Sequence, residues 1–228
     1  QTGPHDGSTD YDQSIDRLLG DRGGFITAAM GNEGDQHLHT HGTLAPGETK
    51  YVLVDADFQS VVHGEADDQF YTNVDIWGSA ADGKTHFTVT PFLYSGGEIL
   101  PQTDEYWKKV IDESSELGTV NTNNQRELHR YFLDLRAAWD NAVIPGDEKG
   151  GDDLNMKIGF KITASADNTQ NEALHVWVDG NGLSAGVASR PVKGHEAATL
   201  QADDEFIVGE GAASIPRAIA VGCYATNL

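Results

Sequence analysis

NMKIGFKITASA, residues 155–166, alternates apolar with polar or small side chains along most of its length. Its apolar positions are Met156, Ile158, Phe160, Ile162 and Ala164. Lys157, Lys161 and Thr163 lie between them. Because successive side chains of a strand point to opposite faces, this period of two predicts a β-strand with one buried and one polar face.

Further segments with strand character lie on both sides of this one. They share alternation, or enrichment in β-branched and aromatic residues, and Gly-rich turns separate several of them. The segments are GFITAAM (24–30), KYVLVDADF (50–58), QFYTNVDIW (69–77), THFTVTPFLY (85–94), ALHVWVDG (173–180), EFIVG (205–209) and SIPRAIAVGCYAT (214–226). Roughly eight to ten strands in one chain predict a mainly β fold, a single jelly roll or β-sandwich barrel.

The apolar period changes between residues 103 and 143. TDEYWKKVIDESSEL (103–117) and TNNQRELHRYFLDLRAAWDNAV (122–143) are helix candidates. The second has the apolar spacing of one helical face and a capping box at its start. The face is formed by Leu128, Phe132, Leu135 and Trp139, and the box by Thr122 and Gln125. We therefore predict one jelly-roll domain over residues 24–228, with a helical insertion at 103–143.

The chain is strongly acidic. Its 228 residues include 36 Asp and Glu against 15 Lys and Arg, for a formal net charge of −21, and the excess is spread along the whole sequence. At molar salt the electrostatic screening length falls to about 3 Å, so repulsion among carboxylates largely disappears. The composition predicts adaptation to a highly saline environment. It also argues against nucleic acid as a partner, because the sequence has no stripe of basic residues that could bind backbone phosphates.

Residues 1–23 are predicted to form an N-terminal arm. This segment is rich in Gly and Asp and contains one short amphipathic piece, YDQSIDRLL (11–19), which we expect to lie on a neighbouring subunit. No apolar run reaches the ~18 residues of a membrane span, and the polar, acidic start is unlike a secretory signal.

GSAADGKT, residues 78–85, matches the phosphate-binding pattern G-x-x-x-x-G-K-[ST]. A phosphate-binding loop needs a strand before it and a helix after it, because the helix N-terminus holds the phosphates. Here the alternating segment THFTVTPFLY (85–94) follows, so a second strand is predicted instead. We interpret the octet as a hairpin turn built on Asp82-Gly83, and expect no nucleotide binding.

The single cysteine, Cys223, excludes an internal disulfide. Alternation places it on the same strand face as Ile219 and Val221, which favours a small buried side chain. An intermolecular disulfide in an assembled particle is the alternative.

The one cluster with metal-ligand character is QHLHTHG, residues 36–42. His37, His39 and His41 would project from one face if this segment were a strand, and three imidazoles could then hold a metal ion. The alternative, which we favour, is that these histidines line a solvent-facing or interface strand. The His-x-His pattern is also found in cupins, but here the acid that should follow it, Glu48, comes late and no second motif follows. No cofactor and no catalytic residue is predicted, and we expect no enzymatic activity.

Several strands are apolar on both faces. Tyr51 and Leu53 oppose Val52 and Val54, Trp77 opposes Ile76, and Phe92 opposes Leu93. A single sandwich interior cannot bury both faces, so some of this surface is expected to meet a partner.

As a whole chain, the sequence resembles the larger major capsid protein of tailless icosahedral, internal-membrane viruses of haloarchaea. The resemblance is carried by QTGPHDGSTDYDQSIDRLLGD (1–21), by the strand series 50–58, 69–77 and 85–94, by ELHRYFLDLRAAW (127–139), and by KIGFKITASA (157–166) and AIAVGCYAT (218–226). None of these is a short chemical motif.

The resemblance implies a structural protein of the virion capsid. Its jelly roll would stand upright on the viral membrane and form pseudo-hexameric capsomers with copies of itself and a second, smaller major capsid protein. Membrane-proximal or vertex virion proteins are further expected partners. The alternative function is a haloarchaeal cupin-like β-barrel metalloprotein or a carbohydrate-binding module.

Overall fold

The computed structural model describes residues 7, 9–20, 24–29, 37–56, 71–78, 82, 84–121, 127–134, 157–180, 185–203, 215 and 217–221. Helix α1 spans Asp10–Leu19, and a short helix α2, Glu105–Trp107, continues as a π-helix over Lys108–Asp112. The strands are β1 (Ile26–Ala29), β2 (His39–Leu44), β3 (Thr49–Ala56), β4 (Tyr71–Gly78), β5 (Phe87–Ser95), β6 (Glu98–Ile99), β7 (Ser115–Asn121), β8 (Glu127–Asp134), β9 (Lys157–Ala164), β10 (Glu172–Gly180), β11 (Ala185–Val187) and β12 (Ala218–Val221). No helix among the described residues is long and apolar enough to span a membrane.

Ten of these strands form two five-stranded antiparallel sheets. Sheet I has the order β2-β10-β4-β8-β7, and sheet II has the order β11-β3-β9-β5-β6. The sets β2-β10-β4-β8 and β3-β9-β5-β6 are the two facing sheets of an eight-stranded jelly roll, with β7 and β11 added at edges. The predicted mainly β jelly-roll fold is confirmed.

The core lies between the sheets and is filled by apolar side chains. β9 directs Ile158, Phe160, Ile162 and Ala164 inward, as its alternation predicts. From sheet I, Tyr131 packs its ring edge against Phe160, with ring centres 4.9 Å apart. Aliphatic side chains from β2, β3, β4 and β10 fill the space around this pair, so the interior of the jelly roll is a packed core.

The predicted helical insertion at 103–143 is largely wrong. Among the described residues of this range, 105–112 are helical, whereas 115–121 and 127–134 form the paired strands β7 and β8. β8 also pairs with β4 over residues 128–134, and this sheet pairing overrides the helical spacing. Tyr131 and Leu133 face the core and Leu128 the outer side, an alternation also present in the sequence. The capping box at 122–125, Leu135 and Trp139 lie outside the described residues.

The octet at 78–85 is not a hairpin. β4 belongs to sheet I and β5 to sheet II, so the segment between them crosses from one sheet to the other. β4 is paired with β10 and β8, and β5 is paired with β9 and, at its C-terminal end, with β6, so the two strands do not pair with each other. Asp82 Oδ1 accepts a hydrogen bond from the Lys84 N–H at 3.0 Å, a local turn. The strand expected after the octet is present as β5, and the strand–loop–helix arrangement of a phosphate-binding loop does not form.

The apolar outer face of sheet II is covered by the chain itself. Tyr51, Leu53 and Phe92 form a buried cluster with Ala188 and Val192, from a segment that crosses the sheet after β11. Trp77, on sheet I, is buried too, in a cluster with Leu128 and Trp177. The expectation that these side chains need a partner protein to be buried is therefore wrong, because the segment after β11 covers those on sheet II and neighbouring strands bury Trp77.

Residues at the two ends of the described chain form a small peripheral unit of α1, β1 and β12, which we call the terminal unit. Thr9 caps α1 by accepting a hydrogen bond from the Asp12 N–H. β1 and β12 pair in parallel, and Arg217 Nη1 donates to the Asp16 carbonyl at 3.1 Å. The amphipathic piece of the predicted arm is thus helical and contacts its own chain. Cys223 and the strand candidate at 205–209 lie outside the described residues.

Candidate functional site

Three histidines meet on the outer face of sheet I, where β2 pairs with β10. β2 directs Leu44 into the core, so His39 and His41 point away from it. In the antiparallel register His41 lies opposite His175, and His39 lies opposite Trp177. The pairing of two strands, far apart in sequence, therefore gathers the imidazoles on one surface.

The three imidazole rings are in contact. His39 Nε2 lies 3.2 Å from His175 Nδ1, a hydrogen-bond distance at which one ring donates and the other accepts. The His39 ring is nearly parallel to that of His41, with centres 6.0 Å apart, and the His175 ring stacks on both. His39 is fully buried, whereas His41 lies at the surface.

Asp203 completes this group, which we call the histidine cluster: His39, His41, His175 and Asp203. The Asp203 N–H donates to the His39 carbonyl at 2.8 Å, which fixes its backbone beside β2. Its carboxylate contacts Nδ1 of His41. The preceding residues anchor the segment, because the Thr40 hydroxyl donates to the Gln201 carbonyl and the Leu200 N–H donates to the Tyr51 carbonyl.

The electrostatics of the cluster favour a neutral His39. Burial and, next, the charge of His175 lower the pKa of His39 to about 3, against a smaller opposing effect of Asp203. His39 therefore carries no charge near neutral pH, and a neutral imidazole is the form that binds metals.

The donor atoms of three cluster members converge. One ring nitrogen each of His39 and His41 and one carboxylate oxygen of Asp203 lie within 4.8 Å of one another. Two imidazoles and a carboxylate form a ligand set that zinc uses in proteins. Among the described residues, this is the one group of three or more His, Cys, Asp or Glu with such an arrangement.

His37 is not part of this group. β2 begins at His39, so the alternation that places His39 and His41 on one face does not extend to His37. His37 has a left-handed backbone, with φ of 55°, and its carbonyl accepts a hydrogen bond from the Val187 N–H at 2.7 Å. The backbone turn before β2 thus separates it from the other two.

An aromatic and ionic surface surrounds the cluster. The Trp177 ring lies 4.3 Å from that of His39, and the Trp77 ring stacks on His175 at 4.5 Å. Beyond Trp177, on β4 and β8, Arg130 binds the buried carboxylate of Asp75 through two hydrogen bonds of 2.7 and 2.9 Å. Such a rigid, partly apolar surround holds side chains in place and limits solvent access.

The comparisons with known proteins bear on the architecture. No family model and no curated protein matches the chain. Among solved structures, it is similar to the CspB protease of Clostridium perfringens, with a TM-score of 0.52 and 14% identity over 99% of the chain. The likeness is one of fold. The chain spans 40% of the length of that protease.

Two members of the cluster were missed in the sequence. His175 had a usable signal, because it lies at an outward position of the alternating segment ALHVWVDG, as His39 and His41 do on their strand. Asp203 had none. It follows a 3-10 turn at Glu196–Ala198 in an irregular segment, and only the backbone bonds to β2 and β3 bring it to His41.

Proposed function

We propose that this protein is a major capsid protein of an icosahedral, internal-membrane virus of haloarchaea, which forms capsomers with copies of itself and with a second, smaller coat protein. The jelly roll is a fold that viral capsid proteins use repeatedly. The acidic composition suits assembly at molar salt, where hydrophobic burial can hold wide interfaces while charge effects are screened. Fold and charge together support the proposal but do not single out a contact surface.

The terminal unit supplies that surface, and it is the observation on which the proposal chiefly rests. Five large apolar side chains in or beside α1, β1 and β12 are between 52% and 85% exposed. They are Tyr11, Leu18, Phe25, Ile219 and Val221. Exposed apolar groups concentrated on one unit are typical of surfaces that meet another protein.

The construction of the terminal unit points the same way. In the described part of the chain, β1 and β12 form a two-stranded sheet, and a two-stranded sheet is marginally stable in water on its own. Ile219 and Val221 project from the same face of β12 by alternation, and both are exposed. A neighbouring subunit that covers this face would stabilise the sheet and bury the apolar side chains.

The alternative of a ligand-holding barrel has less support. A cupin-like metalloprotein or a carbohydrate-binding module needs a concave site with convergent polar groups. The described interior is instead filled by apolar side chains such as Val52, Ile76 and Phe160, all fully buried. The histidine cluster lies on the outer face of sheet I and not in this interior.

Sedimentation velocity in molar KCl tests the proposal, with the chain alone and mixed with the smaller coat protein of the same particle. We expect wild type to form fast-sedimenting assemblies. Leu18→Glu combined with Ile219→Glu should leave most of the protein monomeric, because two buried carboxylates would oppose the contact. Ile99→Glu, at an exposed apolar position of β6, is the matched control and should assemble like wild type.

Two results would contradict the proposal. One is a wild-type chain that stays monomeric with and without the smaller protein and is missing from purified particles. The other is equal assembly by the double variant, with circular dichroism showing that all variants are folded.

A further inference from the structure

We infer that His39, His41 and Asp203 form a binding site for one divalent transition metal ion of the zinc class, with His175 as a positioning residue. The site lies on the outer face of sheet I, opposite the packed interior, and includes no residue of the terminal unit. It therefore goes beyond the coat function and does not depend on it.

The distances suit a small, tightly bound ion. Zinc–nitrogen and zinc–oxygen bonds of about 2.0–2.1 Å place tetrahedral donors about 3.3 Å apart. The three donor atoms already lie within 4.8 Å of one another, so small side-chain rotations close the remaining distance. His41 is at the surface and its side chain is 42% exposed, which gives it the freedom to make that rotation.

The donor types select the class of metal. Imidazole nitrogen suits zinc, copper, nickel and iron, whereas calcium and magnesium prefer sites made of oxygen alone. Two imidazoles and one carboxylate leave a fourth position of a tetrahedral site for water or an incoming side chain.

The site is held in shape by its surroundings. The Asp203 N–H bond to the His39 carbonyl ties the acidic ligand to the strand that carries both histidines. The hydrogen bond between His39 Nε2 and His175 Nδ1 orients the buried imidazole, as outer partners of metal-binding histidines do. Trp177, packed against His39, adds an apolar wall.

The experiment is a titration of the full, chelator-washed chain with Zn²⁺ in molar sodium sulfate, since chloride would compete as a ligand. Isothermal calorimetry should give one zinc per chain, and metal analysis after dialysis should find the same ratio. Titration with Co²⁺ adds a spectroscopic readout, because four-coordinate cobalt absorbs visible light much more strongly than six-coordinate cobalt.

Variants then test each assignment. His41→Ala and Asp203→Asn should each weaken zinc binding by about 100-fold or more, since loss of even an outer-shell partner costs about 10- to 100-fold. His175→Ala should weaken it within that outer-shell range while keeping the four-coordinate cobalt spectrum, and His175→Gln, which can still hydrogen-bond to His39, should lose less.

The matched control is His86→Ala. His86 pairs with Asp82 at 3.1 Å and is a second surface His–Asp pair, but it belongs to no group of three convergent ligands among the described residues. Zinc binding should be unchanged in this variant. The inference is overturned if wild type binds less than one zinc per chain, if His41→Ala and Asp203→Asn bind as wild type does, or if His86→Ala loses as much as they do.

Discussion

At the scale of single residues, Glu172 is a buried carboxylate, an environment that disfavours its charged form. It lies at the start of β10 on the core-facing side and is almost fully buried. Its side chain packs so closely on the backbone of Gly78 that a Cβ there would overlap its Oε1. Burial raises the pKa of Glu172 above its ordinary value of 4.5, although the His86 N–H donates to its Oε2 at 3.3 Å and partly opposes the shift.

The raised pKa predicts a pH-dependent effect of Glu172→Gln. A group with a raised folded-state pKa contributes stability below its unfolded pKa, near 4.5, and loses that contribution as pH rises through the folded value. Wild type should therefore lose stability relative to Glu172→Gln as the pH rises above 4.5. Thermal melts of both proteins at about pH 4 and about pH 7 should show a difference in Tm that grows in favour of the variant.

The matched control for this prediction is Glu98→Gln. Glu98 is exposed on β6, so the substitution removes the same charge without relieving burial. Its Tm difference from wild type should change little between the two pH values. A Tm difference between Glu172→Gln and wild type that does not shift toward the variant from about pH 4 to about pH 7 would contradict the raised pKa of Glu172.

At the scale of elements, β9 joins the two halves of sheet II through an aromatic–glycine contact. Gly159 lies between Leu53 on β3 and Phe92 on β5 in the register. The Phe92 ring lies directly over it, because a Cβ at Gly159 would come within 2.2 Å of the ring. Phe92 is itself buried against Tyr51, so its ring cannot move away without disrupting the buried cluster on the outer face of sheet II.

Gly159→Ala should destabilise the protein by about 1–3 kcal/mol, the usual cost of overpacking a well-filled site. Urea unfolding in molar salt measures this change. The double variant with Phe92→Leu should be less destabilised than the two single variants added together, because the smaller side chain makes room for the new methyl group.

Gly118→Ala is the control for the strand glycine itself. Gly118 lies on β7, and an added Cβ would meet nothing within 4 Å. This substitution should be neutral or stabilising by about 0.5–1 kcal/mol, since alanine restricts the unfolded chain more than glycine does. Equal effects at positions 118 and 159 would show that the Phe92 contact contributes nothing.

At the scale of the whole molecule, the net charge of −21 predicts a salt requirement. Lowering KCl from about 3 M to about 0.1 M lengthens the screening length to about 10 Å, so carboxylates across the surface repel one another. We expect a steep fall in Tm over this range. Equal stability at both salt concentrations would refute the proposed adaptation.

A charge-reduced variant separates repulsion from other effects of salt. Glu98→Gln, Asp112→Asn and Glu113→Gln together remove three exposed carboxylates. This triple variant should lose less stability than wild type at low salt and match it at high salt, because the substitutions remove charge repulsion that high salt already screens.

Part of the architecture could be read from local pattern alone. The alternation of β9 identifies its buried face, Ile158 to Ala164, because a strand's side-chain period is set by its own backbone. The same reasoning places His39 and His41 on one face, and it gives the mainly β class. These properties depend on neighbours within a few residues, so one sequence is sufficient to predict them.

The tertiary structure decided which edges pair and which surfaces are covered. β8 carries a helix-like apolar spacing, yet it becomes a strand because β4 and β7 supply hydrogen-bonding edges on both sides. The octet that follows β4 leads to the other sheet because β4 and β5 pair with different strands. The segment after β11 covers Tyr51 and Phe92 because it packs over the outer face of sheet II. Likewise, His175 and Asp203 reach His39 only through strand register and a loop anchored to β2 and β3. Each of these pairings joins residues far apart in the chain, and its free energy comes from partners that no local period encodes.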